Sequence, residues 1–272
     1  MDKKTITIVG GNGLMGQLFS KLWQSIGFNI QIIDTDNWHE AEELVVKSDA
    51  IIISVPIHIT TDIIGKICQY IRTDCILADF TSIKSTPLIE MLKHHQGAVI
   101  GLHPMFGPTI TTTNKQVVVV CEGRHPEQYQ WLLDSILKLG FTLKHMTAEE
   151  HDSSMNFIQG IEHFLTFSLG TFLHHKNKHP DELIEVASPI YLAKLLLMGR
   201  IFDQDPKLYA EIIMADKSRL VLIKEFAEWL NVWVDKLTKL NKSEFINEFS
   251  SASKWMGEFT KYSQDISDKF LR

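Results

Sequence analysis

Continuous apolar, β-rich runs punctuate the first 145 or so residues, at positions 5–9, 30–33, 50–55, 75–79, 98–101 and 116–121. A strand with one wet face alternates apolar and polar residues, whereas a strand covered on both faces loses that alternation. The runs are separated by helical or loop segments, and this repetition predicts a mostly parallel sheet with helices on both sides. From about Glu149 the pattern changes: apolar residues recur at helical spacing, as through positions 153–167, which predicts an all-helical second half. Pro180, Pro189 and Pro206 fall beside helical stretches, where a first turn tolerates proline. Two domains are expected, residues 1–148 and 149–272.

Positions 227–234 and 253–259 of the helical half are rich in aromatic and aliphatic residues. Either they form a contact between two copies of the chain, giving a homodimer, or they are the core of the helical domain itself. The hydrophobic share of 44% against 22% charged residues belongs to a globular protein with a sizeable core. A net charge of -6 offers no electrostatic reason to bind nucleic acid or an anionic membrane, so a small-molecule partner is expected. The N-terminus lacks a secretory h-region, and no apolar stretch approaches the roughly 20 residues that span a bilayer. Cys68, Cys75 and Cys121 suit neither a disulfide framework nor a thiolate metal site; free thiols in the cytoplasm are expected.

Chemistry first shows at the end of the first strand. Gly11, Gly13 and Gly16 have G-x-G-x-x-G spacing, with Leu14 and Met15 opening a helix behind them. Such a turn needs one glycine for tightness, one for backbone approach to a pyrophosphate and one for close helix packing, and the helix N-terminus then faces the phosphate charge. Asp34 ends the second run, where a carboxylate accepts hydrogen bonds from the adenosine ribose and repels a 2′-phosphate. This constellation predicts a Rossmann-type, doubly wound α/β domain that binds NAD in preference to NADP; another nucleotide is the competing reading. Ser54, Val55 and Pro56 form the turn at the end of the third run and are expected beside the cofactor, since ligands sit beyond the carboxyl ends of strands.

His103 follows the fifth run in GLHPMFGP, and an imidazole there is suited to take a hydroxyl proton while the same carbon gives up hydride. By position alone, a structural role is as good a reading. Ser82 and Lys84 follow the fourth run and are expected to point into the same cleft. Arg200 ends an apolar helical run, where an unpaired charge is costly, so an anionic partner is expected: a substrate carboxylate or an internal acid. His94, His95, His174, His175 and His179 lie in polar stretches and read as solvated surface, and no metal-ligand spacing is present.

Taken in order, VGGNGLMG, SVPIH, GLHPMFGP, KQVVV, YQWLL, AEEHD, SPIY, MGRIF and DPKLYAEIIM resemble the prephenate dehydrogenase family, in particular the dehydrogenase part of bifunctional chorismate mutase/prephenate dehydrogenases of the T-protein type. The resemblance runs from Thr5 to the C-terminus, with no mutase segment expected ahead of the first strand. It implies NAD-dependent oxidative decarboxylation of prephenate to 4-hydroxyphenylpyruvate in tyrosine biosynthesis, with His103 catalytic, Ser82 assisting and Lys84 in the active site. It further implies that Arg200 holds a substrate carboxylate and that His163 lies in the substrate pocket. Leu192 and Glu162 stand where bifunctional relatives carry arginine, which keeps 4-amino-4-deoxyprephenate, or arogenate, open as the substrate. An inert NAD-binding regulator is the reading from another class, and retention of His103, Ser82, Lys84 and Arg200 together argues against it.

Overall fold

The computed structural model describes residues 3–239 and 241–270. These divide into two compact units, one ending at Met155 and one beginning at Asn156. The first unit carries strands β1 (Thr5–Val9), β2 (Asn29–Ile33), β3 (Ala50–Ile53), β4 (Ile76–Asp79), β5 (Val99–Pro104), β6 (Val117–Arg124) and β7 (Thr142–His145). Its helices are α1 (Leu14–Ser25), α2 (Ala41–Val46), α3 (Thr60–Ile67), α4 (Ser85–His94), α5 (Pro126–Lys138) and α6 (Ala148–Met155). The strands form one sheet in the order β2-β1-β3-β4-β5-β6-β7. Pairing is parallel from β2 through β5, antiparallel between β5 and β6, and parallel again between β6 and β7.

The unbroken isoleucine and valine runs are explained by two cores, one on each face. Ile6, Ile8, Ile52, Ile100 and Leu102 point into the core built on Phe19, Trp23 and Tyr129, while Ile33, Ile51, Ile53 and Leu77 point into the core built on Val45, Ile64 and Met91. Each isoleucine so removed from water contributes about 1.5–3 kcal/mol. The seventh strand was not expected from the sequence. Thr142–His145 is short and half-exposed at the sheet edge, and it lacks the apolar run that marks the others.

The unit boundary falls after α6, not at residue 148, because α6 packs on α4 and β6. A second expectation is corrected at His95, which is buried; its Nε2 lies 2.8 Å from the carbonyl oxygen of Cys75, and burial lowers its pKa. A polar neighbourhood in sequence thus hid a structural histidine.

The second unit opens with a π-helical turn (Asn156–Ile161) and continues as α7 (Glu162–His175), α8 (Pro180–Ile184), α9 (Pro189–Phe202), α10 (Pro206–Ile213), α11 (Lys217–Thr238), α12 (Lys242–Met256) and α13 (Phe259–Phe270). As the sequence implied, the prolines at 180, 189 and 206 stand at first helical positions. Arg219 of α11 is fully buried, donates to the carbonyl of Ile212 and, through Nε, to Asn156 Oδ1 at 3.3 Å. Its aliphatic stem lies against Gly160, where a β-carbon would come within 2.7 Å. Several aromatic positions of α11 and α12 are not in this unit's interior: Trp255 is 85% exposed and Phe249 67%, with Trp229 half-exposed, while Phe226 and Trp233 are partly buried. None of the described helices is long and apolar enough to cross a membrane.

At the end of β1, Gly10 has φ +80, and a β-carbon there would stand 2.4 Å from the carbonyl oxygen of Ser54. Alanine at this position combines left-handed backbone strain with a backbone collision, so Gly10→Ala is expected to cost about 2 kcal/mol or more. The check is a thermal midpoint lowered by roughly 4 °C or more; an unchanged midpoint would show that the β3 end yields without cost.

Candidate active site

Two constellations lie at the carboxyl ends of the strands of the first unit. The first is the glycine turn between β1 and α1. Gly13 N–H donates to the carbonyl of Gly10 at 3.1 Å, and the first helical bond runs from Gln17 N–H to Gly13 at 2.8 Å. The N–H groups of Leu14, Met15 and Gly16 therefore lie ahead of the helical ladder, at the positive end of α1. No acidic residue occupies that first turn. Gly16 sits where a β-carbon would meet Gly11 Cα at 2.7 Å, and one at Gly11 would meet the Ile32 side chain at the same distance, so neither glycine leaves room for a side chain between α1, the turn and β2. This is the close approach for which a phosphate-cradling turn needs glycine.

Asp34 is tied to that turn. Its Oδ2 accepts from Asn12 N–H at 3.0 Å and its Oδ1 from Thr35 N–H at 2.8 Å, leaving further lone pairs on both oxygens. Ser54, Val55 and Pro56 follow β3 on the other side of the turn; Ser54 N–H donates to Val9 at 2.8 Å, and the Val55 side chain flanks Gly10. The sequence reading missed Gly10 itself. The signal was present as the first glycine of Gly10-Gly11, and its reason is the Ser54 backbone, which no spacing rule reveals.

The second constellation gathers around β5. His103 is on this strand, opposite Val119 of β6, and only 3% exposed. Its Nδ1 lies 2.7 Å from Nε2 of His151, whose Nδ1 in turn lies 2.8 Å from Oδ1 of Asp152. The two rings stand edge to face at 71°, centroids 5.0 Å apart. Asp152 also accepts the backbone N–H of Lys84 at 2.8 Å and of Ser85 at 2.9 Å, at the start of α4. Burial works to raise the pKa of Asp152, but the hydrogen bonds from His151 and Ser85 and from the backbone prevail and hold it below the usual carboxylate range.

Lys84 departs from the expected placement. Its ammonium is fully buried, paired with Asp79 and donating to the carbonyl of Leu102 at 2.8 Å, rather than reaching into an open cleft. Asp79 additionally accepts from the backbone and hydroxyl of Thr81. Desolvation pushes the Lys84 pKa down, and the neighbouring Asp79 opposes that shift. A cation held on the carbonyl just before His103 fixes the strand that carries the imidazole. Ser82 is half-buried on the β4–α4 loop between them. Neither His151 nor Asp152 was singled out from the sequence, where AEEHD served only as a point of resemblance.

In the second unit, His163 of α7 stacks edge to face on Tyr209 of α10, ring centroids 5.0 Å apart. Burial raises the Tyr209 pKa, and the charge of Arg200 opposes that shift. Arg200 is exposed and forms no ion pair among the described residues, so the internal acid that was one of its two expected partners is not found there. Burial lowers the pKa of His163, Glu162 opposes and Arg219 reinforces the shift. His163 Nδ1 and Gln159 Oε1 are buried without hydrogen-bond partners among the described residues, a condition that a ligand or water relieves. Glu162 is exposed and Leu192 half-buried.

Residues 15–137 match the family model described as prephenate dehydrogenase, nucleotide-binding domain, and residues 147–256 match the one described as prephenate dehydrogenase, dimerization domain. The chain belongs to the prephenate dehydrogenase family. It is 43% identical to the T-protein of Enterobacter agglomerans and 39% identical to that of Haemophilus influenzae, in each case over 96% of this chain and 69% of the relative. Among solved structures, an Aquifex aeolicus prephenate dehydrogenase in complex with hydroxyphenyl propionate and NAD+ superposes with a TM-score of 0.71 at 18% identity, covering 95% of this chain and 99% of that one. That likeness extends the fold match across both units of this prephenate dehydrogenase family member.

Two stability measurements test the β5 cluster. Lys84→Ala leaves Asp79 buried without its counter-ion and is expected to cost about 3–5 kcal/mol in denaturant unfolding; a loss below 1 kcal/mol or so would mean that water reaches Asp79. Asp152→Asn probes the lowered carboxylate. A depressed folded pKa contributes stability that is complete above the unfolded value of about 3.9 and fades as pH falls toward the folded one. The wild-type advantage in thermal midpoint should therefore be full at neutral pH and shrink on acidification below pH ~4. An advantage independent of pH would assign it to hydrogen-bond geometry rather than charge.

Proposed function

We propose that this chain catalyses the NAD-dependent oxidative decarboxylation of prephenate to 4-hydroxyphenylpyruvate on the route to tyrosine. Family membership supports the reaction, and the observation that carries its assignment to these residues is His103, held at the carboxyl end of β5 with Nδ1 engaged by His151. Its other ring nitrogen, Nε2, is the base that takes the proton of the ring C4 hydroxyl. NAD, when bound, accepts hydride from C4. Loss of the ring carboxylate as carbon dioxide then aromatises the ring, and His103 returns the proton to the phenolate oxygen.

The residues of the first unit fit that cofactor. The N–H groups of Leu14, Met15 and Gly16 serve its pyrophosphate, with Gly11, Gly13 and Gly16 clearing the approach, and Asp34 receives the ribose hydroxyls and disfavours a 2′-phosphate. Ser54, Val55 and Pro56 flank it. Ser82 assists His103 at the hydroxyl, while Lys84 acts through the Leu102 carbonyl as a positioning residue. In the second unit we assign Arg200 to a substrate carboxylate by a bidentate contact, and His163 to the substrate pocket. The exposed apolar faces around Trp229, Phe249 and Trp255 suit a homodimer, as the description of the matched helical model supports. Free cysteines agree with a cytoplasmic setting.

The test is NADH formation with prephenate, arogenate and 4-amino-4-deoxyprephenate in parallel, for wild type and His103→Ala. Turnover of prephenate that falls by about 10²–10⁴ in the variant is expected. Activity confined to the amino analogue would move the substrate assignment and point to Glu162 and Leu192, and no activity on any of the three would overturn the proposal.

A further inference from the structure

We propose that Asp152 and His151 are positioning residues that lock His103 in the one tautomer able to act as a base, through a linear carboxylate–imidazole–imidazole relay. The proposal rests on the reading of His103 as the base, and it follows from counting donors and acceptors along the chain of contacts.

Asp152 receives two backbone N–H groups at the start of α4, from Lys84 at 2.8 Å and Ser85 at 2.9 Å. Those bonds and the helix N-terminus stabilise the ionised carboxylate, which can only accept. The 2.8 Å contact between Asp152 Oδ1 and His151 Nδ1 therefore requires the proton on the ring nitrogen. A neutral imidazole protonated at Nδ1 offers a lone pair at Nε2. That lone pair faces His103 Nδ1 at 2.7 Å, so His103 must be the donor there. With its proton committed to Nδ1, neutral His103 carries its lone pair on Nε2, the nitrogen away from the relay. The opposite tautomer of the pair would set two acceptors, Asp152 Oδ1 and an unprotonated His151 Nδ1, against each other at 2.8 Å.

The same arrangement serves the step after proton capture. When His103 takes the hydroxyl proton on Nε2 it becomes an imidazolium, and its Nδ1–H bond to His151 becomes charge-assisted. His151 is fully buried and His103 nearly so, so little water competes for these bonds and the geometry holds without a search through rotamers. Nearby, the Lys84 ammonium is matched by Asp79, leaving Asp152 as the anion that faces the histidine pair.

The test reads the tautomer directly and does not need turnover. Nitrogen-15 NMR of ring-labelled protein at neutral pH should show His103 protonated at Nδ1 in the wild type. In His151→Leu, which keeps bulk but removes the acceptor, the Nδ1 signal should give way to the Nε2–H form or a mixture. In His151→Gln, whose amide oxygen can stand in for the lone pair, the wild-type form should return. Alongside, kcat with prephenate is expected to fall by about 10²–10³ in His151→Leu with KM for NAD nearly unchanged, and to recover by at least tenfold in His151→Gln. Wild-type His103 protonated at Nε2, or a His151→Leu enzyme with wild-type kcat and wild-type nitrogen shifts, would overturn the relay. A wild type that shows the expected tautomer yet oxidises none of the substrates would leave the relay standing and remove the proposed reaction instead.

Discussion

A sheet whose central strands are buried on both faces has nowhere to put polar chemistry except at the strand ends, and this constraint orders the whole first unit. Ile51, Ile52 and Ile53 alternate between two separate cores without one solvent-facing position, and Leu77 and Ala78 of β4 and Val99 and Ile100 of β5 do the same. Thr7, bonded to Gln31 and Ser48, is a polar side chain inside a central strand, whereas the candidate site residues lie where the apolar runs stop: the glycine turn after β1, Asp34 after β2, Ser54 after β3, Asp79 to Lys84 at and after the end of β4 and His103 near the end of β5. Parallel pairing brings these ends to the same edge of the sheet. The site is thus a by-product of how the core is satisfied, with chemistry assigned to what the core leaves over.

Features encoded locally were legible in the sequence, and features encoded by distance were not. Six of seven strands announce themselves as apolar runs, and Gly11, Gly13, Gly16 and Asp34 follow from spacing because the turn and its acid are set by adjacent elements. β7 escaped because its four residues, Thr142–His145, are largely exposed and include one apolar side chain, Leu143. His95 and Lys84 escaped because their burial depends on partners far away in sequence, the carbonyl of Cys75 for one and Asp79 with the carbonyl of Leu102 for the other. His151 and Asp152 are the plainest case: they come from a short helix whose contact with His103 and α4 is a property of the assembled unit. Arg200 is expected from sequence to need an anionic partner; it is exposed, with no internal acid paired to it among the described residues, a placement its apolar helical run does not reveal.

The buried ion pair and the histidine relay meet at one residue. Lys84 directs its side chain to the Leu102 carbonyl and Asp79, while its backbone N–H holds Asp152. An isolated buried pair of this kind is weak evidence for net stability, since desolvation offsets much of the attraction. Its value here is geometric: β4, β5, α4 and α6 are referenced to one another through a single lysine, and the imidazole of His103 inherits that precision.

α6 is the last element of the first unit, following β7 in the chain. During synthesis from the N-terminus, every strand of the sheet emerges before His151 and Asp152 do. Ala148 of the same helix completes one of the two cores, so the segment that carries His151 and Asp152 also closes the apolar packing. Along the chain, the strands that give the sheet its shape therefore all precede the two residues proposed to set the proton of His103.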